Sequence, residues 1–164
     1  MYLFEEVQRF RQWWLWVMLL FSLLTGPLIF VIVEWKSGWA GTDTISWIMM
    51  CAFTPLLGAF FYFMKLETRV DAVGVSYRFL PFHRSFRTIG WEEIASAEVR
   101  RYSPLAEYGG WGLRHTLKHG KAFNISGDIG LQLVLKNGKK VLIGTQKKEE
   151  LEGVLRDLNR SAHR

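Results

Sequence analysis

The first third of the chain carries two long runs of uncharged, mostly apolar residues, at 13–33 and 45–64. Each run is long enough to cross a hydrocarbon core of about 30 Å as an α-helix. The first run contains 13 Leu, Ile, Val or Phe residues, whereas the second contains eight and has Thr54 and Pro55 near its middle. The pattern therefore predicts a transmembrane helical hairpin over 13–64, in which the second span is the more marginal.

Beyond the second run, short segments of alternating apolar and polar residues recur between turn residues, which is the pattern of short β-strands. The predicted strands are 68–70, 75–80, 85–89, 94–101, 111–116, 121–125, 131–136 and 139–143. The last two flank Asn137-Gly138, which predicts a two-residue hairpin loop. In the strand over 94–101, Ile94 and the small Ser96 are expected on the apolar side.

The last predicted element is an amphipathic helix that begins after Thr145 or Gln146, either of which is expected to cap it. Its apolar stripe, at helical spacing, consists of Leu151, Val154, Leu155 and Leu158. Seven or eight short strands followed by one helix predict an α+β fold. We expect a bent sheet or partly open β-barrel of about seven strands, with the helix capping one end.

Basic residues are distributed unevenly around the two apolar runs. The connection over 34–44 carries one, Lys36, whereas Arg9 and Arg11 precede the first run and five Lys or Arg residues lie between 65 and 87. Short loops rich in Lys and Arg stay on the cytoplasmic side. The chain is therefore predicted to be a multi-pass protein of the inner (plasma) membrane, with both termini cytoplasmic and a short outer loop.

This orientation divides the chain into a cytoplasmic N-terminal segment over 1–12, the membrane hairpin, and a cytoplasmic domain over 67–164. Trp residues at the ends of the predicted spans agree with the division, because indole rings favour the headgroup boundary. They are Trp13, Trp14, Trp16, Trp35, Trp39 and Trp47.

The composition excludes some kinds of site and indicates the charge of a partner. The single cysteine, Cys51, excludes an internal disulfide framework and any zinc site built on several cysteines. From residue 65 onward the chain holds 18 basic and 11 acidic residues, a net charge of +7, so an acidic partner is expected. No motif that reads DNA or RNA is present, and no nucleic acid is predicted as a partner.

Three short motifs stand out in the predicted domain: 108–114 (YGGWGLR), 122–127 (AFNISG) and 142–146 (LIGTQ). With these motifs the chain resembles an uncharacterised family of bacterial membrane proteins, in which a pleckstrin-homology-like (PH-like) domain is fused to a two-helix membrane anchor. The resemblance covers most of residues 68–158. It implies a PH-like fold, and it implies no activity, because none is agreed for the family.

The glycine-rich motif provides the first candidate site. Gly109, Gly110 and Gly112 surround Trp111, and glycines permit positive φ or a close approach of the backbone. One interpretation is a loop whose free N–H groups bind an anion or a peptide terminus, with Trp111 as a stacking platform and with charge supplied by basic residues near in sequence: Arg100, Arg101, Arg114, Lys118 and Lys121. The other is a purely geometric corner with Trp111 filling the barrel.

Lysines provide the second candidate site. Lys139, Lys140, Lys147 and Lys148 are expected to gather around one hairpin end and the start of the helix, where they face anionic lipids or simply solvent. His115 and His119 lack a third ligand in the pattern, so no metal and no cofactor are predicted. No nucleophile elbow or paired carboxylate predicts an enzyme.

The sequence therefore predicts a non-catalytic membrane protein whose cytoplasmic PH-like domain binds a partner protein or an anionic lipid headgroup at the bilayer surface. The alternative is a structural module that forms a homo-oligomer or assembles a membrane complex without a separate ligand, since Gly26, Gly58 and Ala59 allow close helix contact.

Overall fold

The computed structural model describes residues 2–37 and 44–162, and its class is α+β, as predicted. The chain divides into two compact units. Unit 1 consists of the residues up to Phe10 together with those from Met64 onward, and unit 2 consists of Arg11–Phe63. The predicted outer-loop positions 38–43, which include Trp39, lie outside the described residues.

Unit 2 contains two helices, α1 (Trp13–Ser37) and α2 (Thr44–Phe63), each with an internal proline. The hydroxyls of Ser22 and Thr54 lie 3.5 Å apart between the helices. Of the described helices, one contains a segment long and apolar enough to cross a membrane, Trp13–Val33. In α2 the apolar stretch is shorter, Cys51–Phe63, so the second crossing stays a prediction.

The first sheet of unit 1 has the strand order β1-β2-β3-β4, with every neighbouring pair antiparallel. Its strands are β1 (Phe4–Arg9), β2 (Lys65–Val70), β3 (Gly74–Leu80) and β4 (Arg87–Gly90). The N-terminal segment, to which the sequence analysis assigned no strand, thus forms an edge of this sheet. Because Arg9 lies opposite Lys65, unit 2 is inserted between two paired strands.

The second sheet has the order β5-β8-β9-β7-β6 and is mixed, because β7 and β9 are parallel. Its strands are β5 (Ile94–Arg101), β6 (Gly112–Thr116), β7 (Gly120–Asn124), β8 (Ile129–Leu135) and β9 (Lys140–Gly144). Short helices occur at Trp91–Glu93 (3₁₀) and at α3 (Pro104–Tyr108), and α4 (Lys148–Ala162) follows β9. No described strand pairs with a strand of the other sheet, so the predicted barrel is not confirmed.

Apolar side chains of both sheets meet in one core. The rings of Tyr77 and Phe123 lie 4.6 Å apart, and Phe79 and Phe123 lie 6.4 Å apart. Leu151 and Leu155 of α4 are buried, as the predicted stripe requires. Burial of this kind contributes roughly 1.5–3 kcal/mol for each large apolar side chain, and it fixes which face of each strand turns inward.

Three local expectations differ from the structure. A bulge between Ile94 and Ser96 shifts the alternation by one residue, so Ser96 is exposed and the predicted apolar position is wrong. The β8–β9 loop has three residues rather than two, since the amide of Leu135 donates to the carbonyl of Lys139. The helix begins at Lys148, so neither Thr145 nor Gln146 directly precedes it.

Candidate functional site

The glycine-rich motif closes a short helix. α3 ends at Tyr108 and is capped by Gly109, whose φ of 71° is left-handed. The amides of Gly109 and Gly110 donate 2.9 Å bonds to the carbonyls of Leu105 and Pro104. This is the usual way for glycine to end a helix. The amide of Gly112 donates to Asn124 Oδ1 at 2.8 Å. Because these N–H groups already have partners, the geometric interpretation of the motif is the better supported.

The aromatic and basic members of the motif lie at the surface. Trp111 is half-buried, and its Nε1 donates a 3.0 Å bond to the carbonyl of Gly127. It does not fill the space between the sheets. Arg114 is exposed, and its Nε donates to the carbonyl of Trp111 at 3.1 Å. Arg114, which was expected to supply charge for an anion, thus forms a hydrogen bond to the backbone of the glycine-rich loop.

The other two motifs contribute mainly to the core. Phe123, Ile125, Leu142 and Ile143 are each at most 1% exposed, and Asn124 is fully buried. Asn124 links strands through its hydrogen bond from Nδ2 to the Tyr102 hydroxyl, at 2.9 Å. In these two motifs, most of the named residues therefore contribute to packing.

The four lysines predicted to gather around one end are divided between the two ends of β9. Lys139 and Lys140 lie at its start, whereas Lys147 and Lys148 follow its end, about 13 Å away along the strand. Lys147 Nζ is 3.0 Å from Glu150, and Lys148 Nζ is 3.7 Å from Glu152. The expected single cluster is therefore wrong, because it ignored the length of the strand.

A different set of four lysines lies together. The tips of the β6–β7 and β8–β9 hairpins border an open groove of about 630 Å³, which we call the lysine groove. It is lined by Tyr77, Ile89, His115, Thr116, Leu117, Lys118, Gly120, Lys121, Leu135, Gly138, Lys139, Lys140 and Val141. The lining includes four lysines and neither aspartate nor glutamate.

Among the described residues, the groove lysines lack the ion pairs that seven other cations of the domain form. None of Lys118, Lys121, Lys139 and Lys140 forms an ion pair with a carboxylate of the described residues. Paired cations are common elsewhere: Lys65, Arg69, Arg78, Arg100, Arg101, Lys147 and Lys148. Uncompensated like charges around one concave surface produce a positive potential that attracts anions.

The electrostatics of neighbouring buried groups agree with this charge. Burial lowers the pKa of His83, and the positive charges of Arg87 and Lys121 lower it further. Burial also raises the pKa of Tyr77, which lines the groove. Both groups are therefore neutral at pH 7, and the charge of the groove comes from its lysines.

Two arginines that were expected to supply charge near the glycine motif are already compensated. Arg100 forms a bidentate pair with Glu107, and this interaction lowers the pKa of Glu107. Arg101 pairs with Asp128. His119 Nδ1 lies 3.6 Å from Glu107, whereas His115 lines the groove. In the described ranges, no three His, Cys, Asp or Glu residues lie close enough to hold a metal ion.

Sequence reasoning identified half of the groove. Lys139 and Lys140 were predicted to face anionic lipids or solvent, but Lys118 and Lys121 were considered only as neighbours of the glycine motif. The parallel pairing of β7 with β9 brings the two hairpins together, with Lys121 opposite Val141. A parallel pair between distant hairpins leaves no short-range signal in the sequence.

Comparison with protein-family models, with curated proteins and with solved structures finds no match to this chain.

Proposed function

We propose that the chain is a membrane-anchored, non-catalytic protein whose unit 1, a PH-like domain on the cytoplasmic face, binds an anionic lipid headgroup in the lysine groove. Unit 2 serves as a two-helix anchor of the inner membrane. The anchor keeps the domain at a surface where its ligand is concentrated.

The surface of unit 2 supports the anchor. None of the apolar segment Trp13–Val33 is buried, and side chains such as Phe21, Leu24 and Leu56 are at least 65% exposed. A core helix of a water-soluble protein would bury these residues, and an apolar surface of this extent is typical of contact with lipid. At 1.5 Å per residue, α1 is about 37 Å long, which exceeds the hydrocarbon core.

The pairing of β1 with β2 supports two crossings. β1 precedes α1 and β2 follows α2, yet Arg9 and Lys65 lie opposite each other in one sheet. Residues of one sheet lie on one side of a membrane. A chain that crosses through α1 must therefore cross back before Lys65. With 20 residues and a length of about 30 Å, α2 can make that return crossing.

β1 also argues against α1 as a cleaved signal sequence. Removing α1 from the mature protein would remove β1 with it, and β1 contributes the buried residues Phe4, Glu6 and Gln8. Gln8 Nε2 donates a 2.7 Å bond to the carbonyl of Gly144, which ties the strand to the second sheet. A strand integrated in this way supports a helix that is retained.

The observation that carries the binding function is the set of four lysines without ion pairs around one groove. Each lysine near an anionic membrane surface contributes about 1 kcal/mol. Four of them supply enough free energy to select anionic over zwitterionic lipid, while two adjacent hairpins supply the concave shape.

The test compares two matched double variants of the full chain. Lys118→Gln with Lys121→Gln removes two charges from the groove, and Lys147→Gln with Lys148→Gln removes two charges that are already paired. Each protein is purified in nonionic detergent with equal amounts of phosphatidylglycerol and phosphatidylcholine, and native mass spectrometry counts the bound lipids.

The groove variant should lose about 2 kcal/mol of preference for phosphatidylglycerol, roughly thirtyfold in the binding ratio. The Lys147 and Lys148 variant should retain most of the preference of the unmodified chain. Equal losses in both variants, or no loss in either, would show that the groove has no role in lipid selection.

A further inference from the structure

We propose that the tip of the β6–β7 hairpin inserts Leu117 into the headgroup region of the bilayer, so that the groove takes a membrane-embedded anionic lipid and not a soluble phosphate. The inference rests on the proposed function and names the physical state of its ligand. It also assigns a role to an apolar side chain that the fold does not use.

Leu117 is the most exposed of the large apolar side chains in the described ranges, at 102% of its reference area. Its neighbours in the turn are ordered: the amide of His119 donates to Thr116 Oγ1 at 3.2 Å, and Gly120 adopts a left-handed φ of 78°. The turn therefore holds leucine away from the protein in a defined position. An apolar side chain of this kind gains free energy by leaving water.

Charge complementarity selects the membrane as the occupant. Leu117 is followed by Lys118, and Lys121, Lys139 and Lys140 line the same groove. Lysine can place its aliphatic stem along apolar surroundings while its ammonium group reaches phosphate and water. An apolar tip surrounded by cations matches an interface in which anionic headgroups lie above acyl chains.

The direction of β1 places this tip at the appropriate end of unit 1. Successive residues of β1 contact progressively earlier residues at the end of β9 and just after it. Phe4 lies near Lys147, Glu6 bonds to Thr145, and Gln8 bonds to Gly144. β1 therefore runs toward the end of β9 that begins at Lys140 and borders the hairpin tips. The chain leaves unit 1 for α1 from that same end.

The loop after β3 independently places the lysine groove at the end of unit 1 where the chain connects to unit 2. Leu80 lies opposite Lys65, the first residue of β2, so the following loop is at the end where the chain returns from α2. In that loop His83 lies against Phe123 with ring centroids 5.4 Å apart, and the charge of Lys121 reaches it. The lysine groove and both connections to unit 2 thus share one end of unit 1.

The test places an environment-sensitive fluorophore at the tip of the full chain. Cys51→Ser removes the native thiol, and Leu117→Cys is labelled with a nitrobenzoxadiazole dye. The matched control is Val73→Cys, because Val73 is also an exposed apolar residue, 67% exposed, but lies in the turn between β2 and β3, at the end of that pair opposite Lys65 and Leu80. Both proteins are reconstituted in phosphatidylcholine vesicles with and without phosphatidylglycerol.

In vesicles with phosphatidylglycerol, the label at 117 should shift its emission to the blue and be quenched by lipids spin-labelled near the headgroup. The label at 73 should report water in both vesicles. Adding Lys118→Gln and Lys121→Gln should abolish the shift at 117, whereas Lys147→Gln and Lys148→Gln should preserve it.

Emission typical of water at 117 in anionic vesicles would overturn the insertion. If the same protein still selects phosphatidylglycerol by native mass spectrometry, headgroup binding stands and the insertion alone fails. If that selection is also absent, the proposed function itself fails. A blue shift of the same size in vesicles of phosphatidylcholine alone would show that anionic lipid is not needed for insertion and would also contradict the proposal.

Discussion

The two ends of β9 carry similar numbers of lysines and differ in what surrounds them. Beyond Gly144, polar groups have partners: Glu6 accepts hydrogen bonds from the Thr145 hydroxyl and the Gln146 backbone amide, and Lys147 pairs with Glu150. At the Lys140 end, the groove lysines have no ion pair with a described carboxylate. The first end fastens the two sheets together, and the second leaves its charge available to a ligand.

This contrast shows that partners, and not the count of lysines, distinguish a structural charge from a binding charge. A paired surface cation contributes little to stability and less to recognition. An unpaired cluster costs some stability through repulsion and gains it back when an anion binds. Variants that remove charged or structural groups at one end or the other therefore test the comparison directly.

The largest effect is expected at the fastened end. Glu6 is 6% exposed and accepts hydrogen bonds from Thr145 Oγ1 at 2.6 Å and from the amide of Gln146 at 2.8 Å. Glu6→Ala should lower the free energy of unfolding of unit 1 by about 3 kcal/mol, because the buried Thr145 hydroxyl and the part-buried Gln146 amide lose a charged acceptor. Chemical denaturation of the full chain in detergent, followed by tryptophan fluorescence, measures the loss.

The neighbouring carboxylate supplies the control for this prediction. Glu5 is 47% exposed and pairs with Arg69 at 2.8 Å, so Glu5→Ala should cost less than about 1 kcal/mol. Equal losses for Glu5→Ala and Glu6→Ala would mean that β1 contributes through its backbone and that the buried carboxylate adds nothing.

Much of this fold follows from sequence pattern, because it depends on local periodicity. The strands β3, β5, β6, β7, β8 and β9 and the helix α4 lie within a few residues of the predicted segments. Leu131 and Leu133 of the alternating pattern and Leu151 and Leu155 of the helical stripe are buried in the structure, although Gln132 between the two leucines of β8 is buried as well. Two sequence features, period and turn chemistry, were sufficient for these elements.

What the sequence left open depends on pairing between distant segments. β1 has polar residues at its buried positions, Glu6 and Gln8, so its hydrophobic pattern predicts no strand. The lysine groove exists because β7 pairs in parallel with β9, and the sequence does not specify that neighbour. The composition of the glycine motif predicted free N–H groups, although the amides of Gly109 and Gly110 donate to the last carbonyls of α3.

A smaller effect is expected at the groove end, in the loop that presents Lys139. Gly138 has a φ of 80°, and a Cβ added there would meet no atom within 4 Å. Gly138→Ala should therefore lower the free energy of unfolding by about 1 kcal/mol through backbone strain alone. Gly138→Asn should cost less, because asparagine tolerates the left-handed region. Denaturation curves that rank Asn below Ala would contradict this account of the loop.

The two lysine pairs should differ in stability as well as in lipid binding. Lys147→Gln with Lys148→Gln removes two surface ion pairs and should cost about 0.5 kcal/mol. Lys118→Gln with Lys121→Gln removes repulsion and should leave stability unchanged or slightly higher. Melting temperatures in nonionic detergent at low salt compare the variants. A clear destabilisation of the groove variant would indicate that its lysines have structural partners.

The smallest expected effect is a change in the titration of His83. Burial, Arg87 and Lys121 lower its pKa from the ordinary value of 6.5. The unfolded chain therefore takes up this proton at a higher pH than the folded one, so stability is complete above 6.5 and falls as the pH decreases toward the folded pKa. His83→Gln should remove this part of the acid sensitivity, measured as the pH dependence of the melting temperature.

An anionic lipid in the lysine groove adds negative charge near Lys121 and should raise the pKa of His83 toward its ordinary value. Full chain with ¹³C-labelled histidine, held in nanodiscs with or without phosphatidylglycerol, reports the ring titration by NMR, and His83→Gln assigns the resonance. Lys118→Gln with Lys121→Gln should raise the same pKa without anionic lipid and reduce the further rise when lipid is added. If phosphatidylglycerol shifts the pKa of His83 equally in that variant and in the unmodified chain, the lipid acts through the general surface potential, and the two ends of β9 do not differ in binding.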